Sequence, residues 1–406
     1  MTHTRRLLAA LLLAAPLPLA AQRAPRQVIL FIGDGVGVSY WTAAKYAAES
    51  LAVSRFRVMG LVDTRSSDAP ITDSGAGATV YAIGMRTFNG AIGVGPDSAS
   101  HPTILELARD RGRATGLVAS SSITHATPAS FAAHVPSRAS EFDIARQIVD
   151  ARVDVLLGGG SRWFDRKVRP DSVDLLARLG RTHRVIGTAD ELRAVNPRTT
   201  PRLVGLFGED QMPAAPERTP SLPEMTRVAL DILSRDAEGF FLMVEGSQPD
   251  WRGHANEPLD AVAAEMLDYD RAIGVALDWQ RGNPNALIVV VSDHETGGLA
   301  MEMANDSISL VMAATRTDSA ANALARSGVV APEDSTVRAL RMTARRLRRD
   351  AVGRGRSQRL VADYTTTGHS PQMIPLFASG PGAERFGGIQ ENWRIGQLLR
   401  EIIVAR

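Results

Sequence analysis

Apolar runs and amphipathic stretches alternate along this chain, and that alternation is the first guide to its fold. Val28-Ile29-Leu30-Phe31-Ile32 is uninterrupted, the pattern of a strand covered on both faces rather than one half open to water. Comparable strands are predicted at Thr115–Ala119, Val153–Leu157, Phe240–Val244, Ala286–Val291 and Ile374–Ala378. Helical stretches fall between them. His101–Arg111 has Pro102 near its start and Gly112 just past its end, the usual punctuation of a helix. Others are expected over Glu141–Ala151, in a segment ending near Ser234, and from about Glu391 to the end. Leu259–Gln280 shows helical apolar spacing through Val262, Met266, Ile273 and Leu277. Strands alternating with helices predict an α/β fold, a three-layer sandwich whose mainly parallel central sheet is flanked by helices.

Two stretches break the rhythm. Residues 161–225 are richer in Pro and Arg, with only short candidate strands such as Arg202–Phe207. They read as an elaborated connection, and residues 300–360 read as a second insertion. Arg338–Arg359 contains nine arginines, either a solvated basic helix with Leu340, Ala344 and Leu347 turned inward or a lure for anions. The start follows a third pattern. Arg5-Arg6 precede an apolar stretch from Leu7 to Leu19, and Ala20-Ala21 supply small residues for cleavage. That is the layout of an export signal over residues 1–21, with residues 22–406 as one catalytic unit destined for the bacterial periplasm or the exterior. A retained anchor fits less well, because the stretch is short for a span and carries Pro16 and Pro18. No other stretch is long and apolar enough to cross a bilayer.

Composition narrows the chemistry. With 44% hydrophobic residues in 406, the chain can bury a large core. Without residues 1–21 it carries 44 basic and 44 acidic residues, so charge gives no argument for a nucleic-acid partner. It has no cysteine, which excludes disulfides and thiolate metal sites. Any metal must be held by His, Asp, Glu or hydroxyl oxygen, favouring zinc, magnesium or manganese.

The candidate chemistry lies where strand-like runs end. Gly33-Asp34-Gly35-Val36-Gly37 does not have dinucleotide-loop spacing, and a carboxylate between its glycines would repel a pyrophosphate. Asp34 therefore suits a metal, or is simply a turn residue. In Ile71-Thr72-Asp73-Ser74-Gly75-Ala76-Gly77-Ala78-Thr79, small neighbours leave the Ser74 oxygen approachable at the start of a helix, where backbone N–H groups attract an anion. Ser74 is either a nucleophile there or a helix cap. His125, Thr127, His134 and Arg138 follow the strand at Thr115–Ala119, with His134 read as a packed or surface residue. Glu245, Asp250, Trp251 and His254 lie within ten residues after the next buried strand. Asp293-His294 follow another, and His369 lies in Thr365–Ser370. Sites in open parallel sheets gather beyond strand ends, so these clusters are expected to converge on one edge.

In this order the quoted residues resemble the alkaline phosphatase family, with matches scattered from Asp34 to His369. The resemblance implies hydrolysis of phosphate monoesters through a phosphoserine at Ser74, with two zinc ions and one magnesium. It places one zinc on Asp250, His254 and His369, and the second on Asp34, Asp293 and His294 with Ser74 reaching it. The third site falls to Asp34, Thr127 and Glu245, and Arg138 is the implied phosphate clamp. A guanidinium can take two phosphoryl oxygens as a fork, and a metal beside Ser74 favours its alkoxide. Many members are homodimers, so a dimer is an expectation here too. Two positions depart from one version of the pattern: His125 stands where some members have Asp, and Trp251 where some have Lys. A neutral imidazole holds a metal directly more readily than it holds hydrated magnesium, so zinc, cobalt or manganese is expected at the third site. Trp251 removes a cation from the phosphate site, which predicts weaker product binding. The alternatives are a phosphodiesterase or nucleotide-directed hydrolase of the same superfamily and, further off, an exported metal- or phosphate-binding protein without catalysis. The Ser74 context lacks the sulfatase pattern.

Overall fold

The computed structural model describes residues 24–303, 307–327, 331, 334–352 and 360–405. The expected export signal lies outside the described residues. Among the described residues no helix is long and apolar enough to cross a membrane.

The strands, in chain order, are β1 (Gln27–Gly33), β2 (Val58–Asp63), β3 (Ala114–Ser122), β4 (Val155–Gly159), β5 (Arg184–Ile186), β6 (Leu203–Leu206), β7 (Phe240–Gly246), β8 (Leu287–Ser292), β9 (Glu295–Thr296), β10 (Ala300–Met303), β11 (Leu360–Asp363), β12 (His369–Ser370), β13 (Ile374–Ser379) and β14 (Gly388–Glu391). Ten of them form one sheet in the order β14-β2-β13-β8-β1-β7-β3-β4-β6-β5. The pairings are parallel except those of β13, which runs against both β2 and β8. β9 with β12 and β10 with β11 make separate two-stranded ribbons.

Alternation along β1 shows the three layers directly, since neighbouring side chains of a strand point to opposite faces. Val28, Leu30 and Ile32 enter one apolar cluster with Ile144, Leu398 and Ile402, while Ile29 and Phe31 enter another with Met225, Met266 and Ile273. Both faces are dry, as the unbroken apolar run requires. Residues 161–225 add β5 and β6 to the main sheet rather than forming a separate body. In the second irregular stretch, the helices Ser307–Arg326 and Ser335–Val352 bury Ala314, Ala321, Val337 and Ala344, with Leu340 and Leu347 half-buried.

The expected helix over His101–Arg111 is shorter, Ile104–Arg109. Thr103 caps it by accepting from Glu106 N at 3.2 Å, and Glu106 accepts from Thr103 N in return, so Pro102 stands outside. β3 and β7 run further than their apolar residues do, taking in buried Ser120–Ser122 and Glu245. Register then sets the site. Gly33 of β1 aligns with Gly246 of β7 and with Ser292 of β8, so Asp34 and Asp293 leave their strands at one level, with Glu245, opposite Ile32, near the end of β7 between β1 and β3. His369, in β12, precedes β13, as the position of Thr365–Ser370 ahead of the apolar run Ile374–Ala378 implies, whereas the other clusters follow strands. Because β13 is reversed, its start lies at the edge where its neighbours end.

Candidate active site

Asp34 occupies the turn after β1, its N–H donating to Gly246 O at 3.0 Å. Gly35 has φ +73°, and a Cβ there would stand 2.7 Å from Asp250 Cα, so only glycine lets the two segments meet. Ser74 is the first residue of the buried helix Ser74–Ile83. It is not the cap. Asp73 is, accepting from Ala76 N at 3.0 Å and from Gly90 N at 2.9 Å. The Ser74 hydroxyl is thereby left for the site, 3.3 Å from His294 Nε2 and 3.5 Å from Asp34 Oδ1.

Three groups of donor atoms surround that hydroxyl. In the inner group, His294 Nε2 lies 3.5 Å from Asp34 Oδ1 and 3.3 Å from Asp293 Oδ2, and all three side chains are fully buried. In the outer group, His254 Nε2 lies 3.3 Å from Asp250 Oδ1 and 3.1 Å from His369 Nε2, with His369 Nε2 3.6 Å from Asp250 Oδ1. The His369 ring stacks on His294, their centroids 3.6 Å apart, which joins the two groups. The third group holds ligand atoms of Asp34, His125 and Glu245 within 4.8 Å of one another. Thr127, also expected there, is buried in the helix Ala126–Ala132 behind His125.

The donor chemistry fits divalent cations. Asp34 Oδ2, Asp293 Oδ2, Glu245 Oε1, Thr127 Oγ1 and His125 Nδ1 are buried and accept or donate no hydrogen bond, a concentration of orphaned atoms that protein interiors avoid. In the outer group the other ring nitrogens are committed. His254 Nδ1 donates to Thr367 O at 2.6 Å and His369 Nδ1 to Thr72 O at 2.8 Å. Two Nε2 lone pairs at 3.1 Å repel unless positive charge stands between them, which a proton or a metal ion supplies.

The titrations follow from the same crowding. Burial, then the charges of Asp293 and Asp250, raises Asp34 well above the carboxylate range. Burial lifts Glu245 to about 7, and burial with the Asp250 charge lifts Asp293 to about 6. Asp250 goes the other way: against its burial, the hydrogen bond from His254 and the charge of His294 hold it below the usual range. The hydrogen bond to Asp250 raises His254 to about 9, while burial depresses His294 to about 4. Burial and then the neighbouring Arg138 depress His125 to about 3.

Arg138 faces the Ser74 hydroxyl's helix. Its Nη1 pairs with Asp73 at 3.0 Å and its Nη2 donates to His125 Nε2 at 3.1 Å. Trp251, half-buried, meets the His125 ring edge-on at 6.0 Å. His134 stands apart, bonded to Gly93 O and Glu106. The sequence reading did not identify Asp73, Thr296 or the serines around Glu245. Thr296 Oγ1 donates to Asp250 Oδ1 and lies 3.3 Å from His294 Nδ1, bridging the outer and inner groups. Ser121 and Ser247 donate to Glu245 Oε2 at 3.1 and 2.7 Å, and three consecutive serines, Ser120–Ser122, ending a buried strand are a readable signal for the first of them.

This geometry agrees with what the chain resembles. The family model described as alkaline phosphatase matches residues 25–404. Alkaline phosphatase 3 of Bacillus subtilis is 34% identical over 92% of this chain and 87% of its own length. The structure of alkaline phosphatase from the Antarctic bacterium TAB5 superposes with a TM-score of 0.77 at 32% identity, covering 95% of this chain and 99% of that one. A variant of the TAB5 enzyme with a histidine replaced by aspartate, and magnesium bound in its M3 site, gives 0.76 at the same identity and coverage. The chain belongs to the alkaline phosphatase family and is a metal-dependent hydrolase of phosphate monoesters.

Proposed function

We propose that Ser74 is the nucleophile and that each monoester is cleaved in two displacements, through a phosphoserine. The observation that carries this is the buried Ser74 Oγ, 3.3 Å from His294 Nε2 and 3.5 Å from Asp34 Oδ1, at a helix start beside Arg138. Asp250, His254 and His369 would hold one zinc ion, Asp34, Asp293 and His294 a second, and Asp34, His125, Thr127 and Glu245 a third ion. When bound, such cations stabilise developing negative charge on the attacking, leaving and phosphoryl oxygens. Ser74 Oγ forms a bond to phosphorus as the ester oxygen departs with a proton. Water then displaces the serine from the opposite side, so configuration at phosphorus is retained overall. Asp73 aims the Arg138 guanidinium, whose fork holds phosphoryl oxygens.

A Ser-His-Asp relay is not the reading we favour. His294 Nδ1 meets a threonine hydroxyl rather than a carboxylate, and the depressed His294 is a weak base. The His125 position supports a third site that prefers zinc, cobalt or manganese. In a relative of known structure, a His-to-Asp and a His-to-Glu variant each have magnesium bound in the M3 site. His125 carries one further constraint. Arg138 Nη2 can only donate, so His125 Nε2 accepts and the neutral ring bears its proton on Nδ1. To offer Nδ1 to a metal, the ring must shift that proton and release Arg138.

Phosphate release from p-nitrophenyl phosphate at alkaline pH tests the proposal. Wild type is expected to lose activity with chelator and regain it with zinc plus magnesium. Ser74→Ala should bind metal and phosphate while turning over roughly 10⁴-fold more slowly or worse. Undiminished turnover by Ser74→Ala would remove the phosphoserine route.

A further inference from the structure

The seven-residue helix Gln248–His254 carries Asp250, Trp251 and His254. Four residues apart, Asp250 and His254 share one face. A helix this short does not hold itself in place, so the positions of its two ligands must come from tertiary contacts. Both ends are held by contacts that lead to one stretch of chain, residues 208–220. At the start, Gln248 Nε2 donates to Ser120 O at 2.9 Å and to Met212 O at 2.8 Å, using both amide protons. Gln211, the neighbour of Met212, accepts from Ser122 N at 2.8 Å and so braces the end of β3 as well.

At the other end, Arg252 Nη1 donates to Glu257 Oε1 at 2.8 Å and Arg252 Nη2 to Glu265 Oε1 at 3.4 Å. Glu265, in the helix Leu259–Gln280, is buried and accepts from Ala215 N at 2.8 Å. Its other oxygen pairs with Arg218 Nη2 at 2.7 Å. Arg218 is equally buried, pairs with Asp268 at 2.7 Å, and donates through Nε to Pro213 O at 3.0 Å. Two arginines and three carboxylates are thus linked, with Arg218, Glu265 and Asp268 buried and Arg252 and Glu257 nearer the surface.

Burying Arg218, Glu265 and Asp268 is a poor way to gain stability, because apolar replacements of similar volume often serve as well or better. What the network provides is direction. It ties a segment that ends at residue 220, well before the metal helix Gln248–His254 in sequence, to Arg252, which lies two residues from both Asp250 and His254. We propose that residues 208–220 brace the metal centre, with Glu265, Arg218 and Arg252 as positioning residues that fix Asp250 and His254. The proposal rests on the reading of Asp250, His254 and His369 as a metal site.

The test is a zinc titration of the metal-depleted full chain against a chromophoric chelator, with a His254→Ala control marking the step that belongs to the outer group. Glu265→Gln preserves volume and the acceptor for Ala215 but removes the charge that holds both arginines. It should weaken the marked step roughly ten- to hundredfold, the usual effect of losing a residue that orients a ligand, and leave the other steps unchanged. Arg252→Gln covers the event that Glu265→Gln fails to fold, since Arg252 is outside the Arg218–Asp268 pair and 17% exposed. Arg252→Lys should recover part of the loss. Folded variants with wild-type zinc steps, even with a lowered Tm, would overturn the brace and leave the metal site standing. Wild-type protein that binds no zinc would overturn the metal site and the brace with it.

Discussion

The inner and outer donor groups share a stacked histidine pair but are built differently. Asp34, Asp293 and His294 come directly off β1 and β8, aligned by the parallel register, and none reaches solvent. Asp250, His254 and His369 come from a short helix and a two-residue strand, with His254 40% exposed and His369 16%. The inner group inherits its geometry from the sheet. The outer group borrows its geometry from Thr72 O, Thr367 O, Thr296 and the Glu265 network. Proximity to the sheet therefore sets which site is rigid, and the borrowed site should be the one that responds to its surroundings.

Acid should separate the two most sharply. A metal at the outer group needs neutral His254, whose proton is held up to about 9 by Asp250. Below that value each pH unit costs outer-site affinity up to tenfold, because one proton competes with the ion; above it the penalty disappears. The inner group meets no such competition from His294, already neutral above about 4, but protons compete for its carboxylates, since burial raises Asp293 to about 6 and Asp34 well above the carboxylate range. Dialysis over a pH series with metal analysis should show the outer ion leaving first, because His254 is accessible to solvent while the inner side chains are fully buried. Simultaneous release would mean that the two groups do not differ in the way their construction implies.

The same contrast explains what was legible in the sequence. Asp34, Glu245 and Asp293-His294 stand at the ends of unbroken apolar runs, and a buried parallel strand announces both itself and its C-terminal edge. His369 stands before its apolar run in the sequence and before β13 in the structure, but an apolar run has no direction, so the reversal of β13 that brings His369 to the edge where the other strands end is not legible. β2 was missed. Its Met59 is 61% and Leu61 37% exposed, so apolar residues occupy both faces and no alternation appears. The link from Arg218 to Glu265 crosses 47 residues, and nothing local to either residue signals the other. The Asp73 cap was hidden differently: two adjacent residues could each cap the helix, and only the structure shows which one does, leaving Ser74 free.

A smaller effect is expected at the third group. His125→Asp replaces one neutral donor with a carboxylate that can hold magnesium through its waters. Metal analysis after reconstitution in mixed ions should show magnesium gaining at that site at the expense of zinc or cobalt, with inner and outer occupancy unchanged. Removing the ring also releases Arg138 from its bond to His125 Nε2, so affinity for inorganic phosphate should not fall. An unchanged metal preference would mean that His125 does not govern the third site.

The smallest effect distinguishes the outer helix as a ligand carrier from the same helix as a wall of the phosphate site. Trp251 lies between Asp250 and His254 in sequence and meets His125 edge-on, yet it donates nothing to any of the three groups. Trp251→Lys would bring an ammonium toward the bound phosphate without touching a metal ligand. At about 4 Å in a solvent-accessible site, the attraction is on the order of 1 kcal/mol per charge, roughly a fivefold change in affinity. Competitive inhibition by inorganic phosphate should therefore strengthen severalfold in the variant, with the pH series of metal release unchanged. The gain should shrink with added salt, because a half-exposed charge is screened. If phosphate inhibition stays the same while the outer ion is lost at higher pH, Trp251 acts by packing the metal helix in place, and the outer group borrows from one residue more.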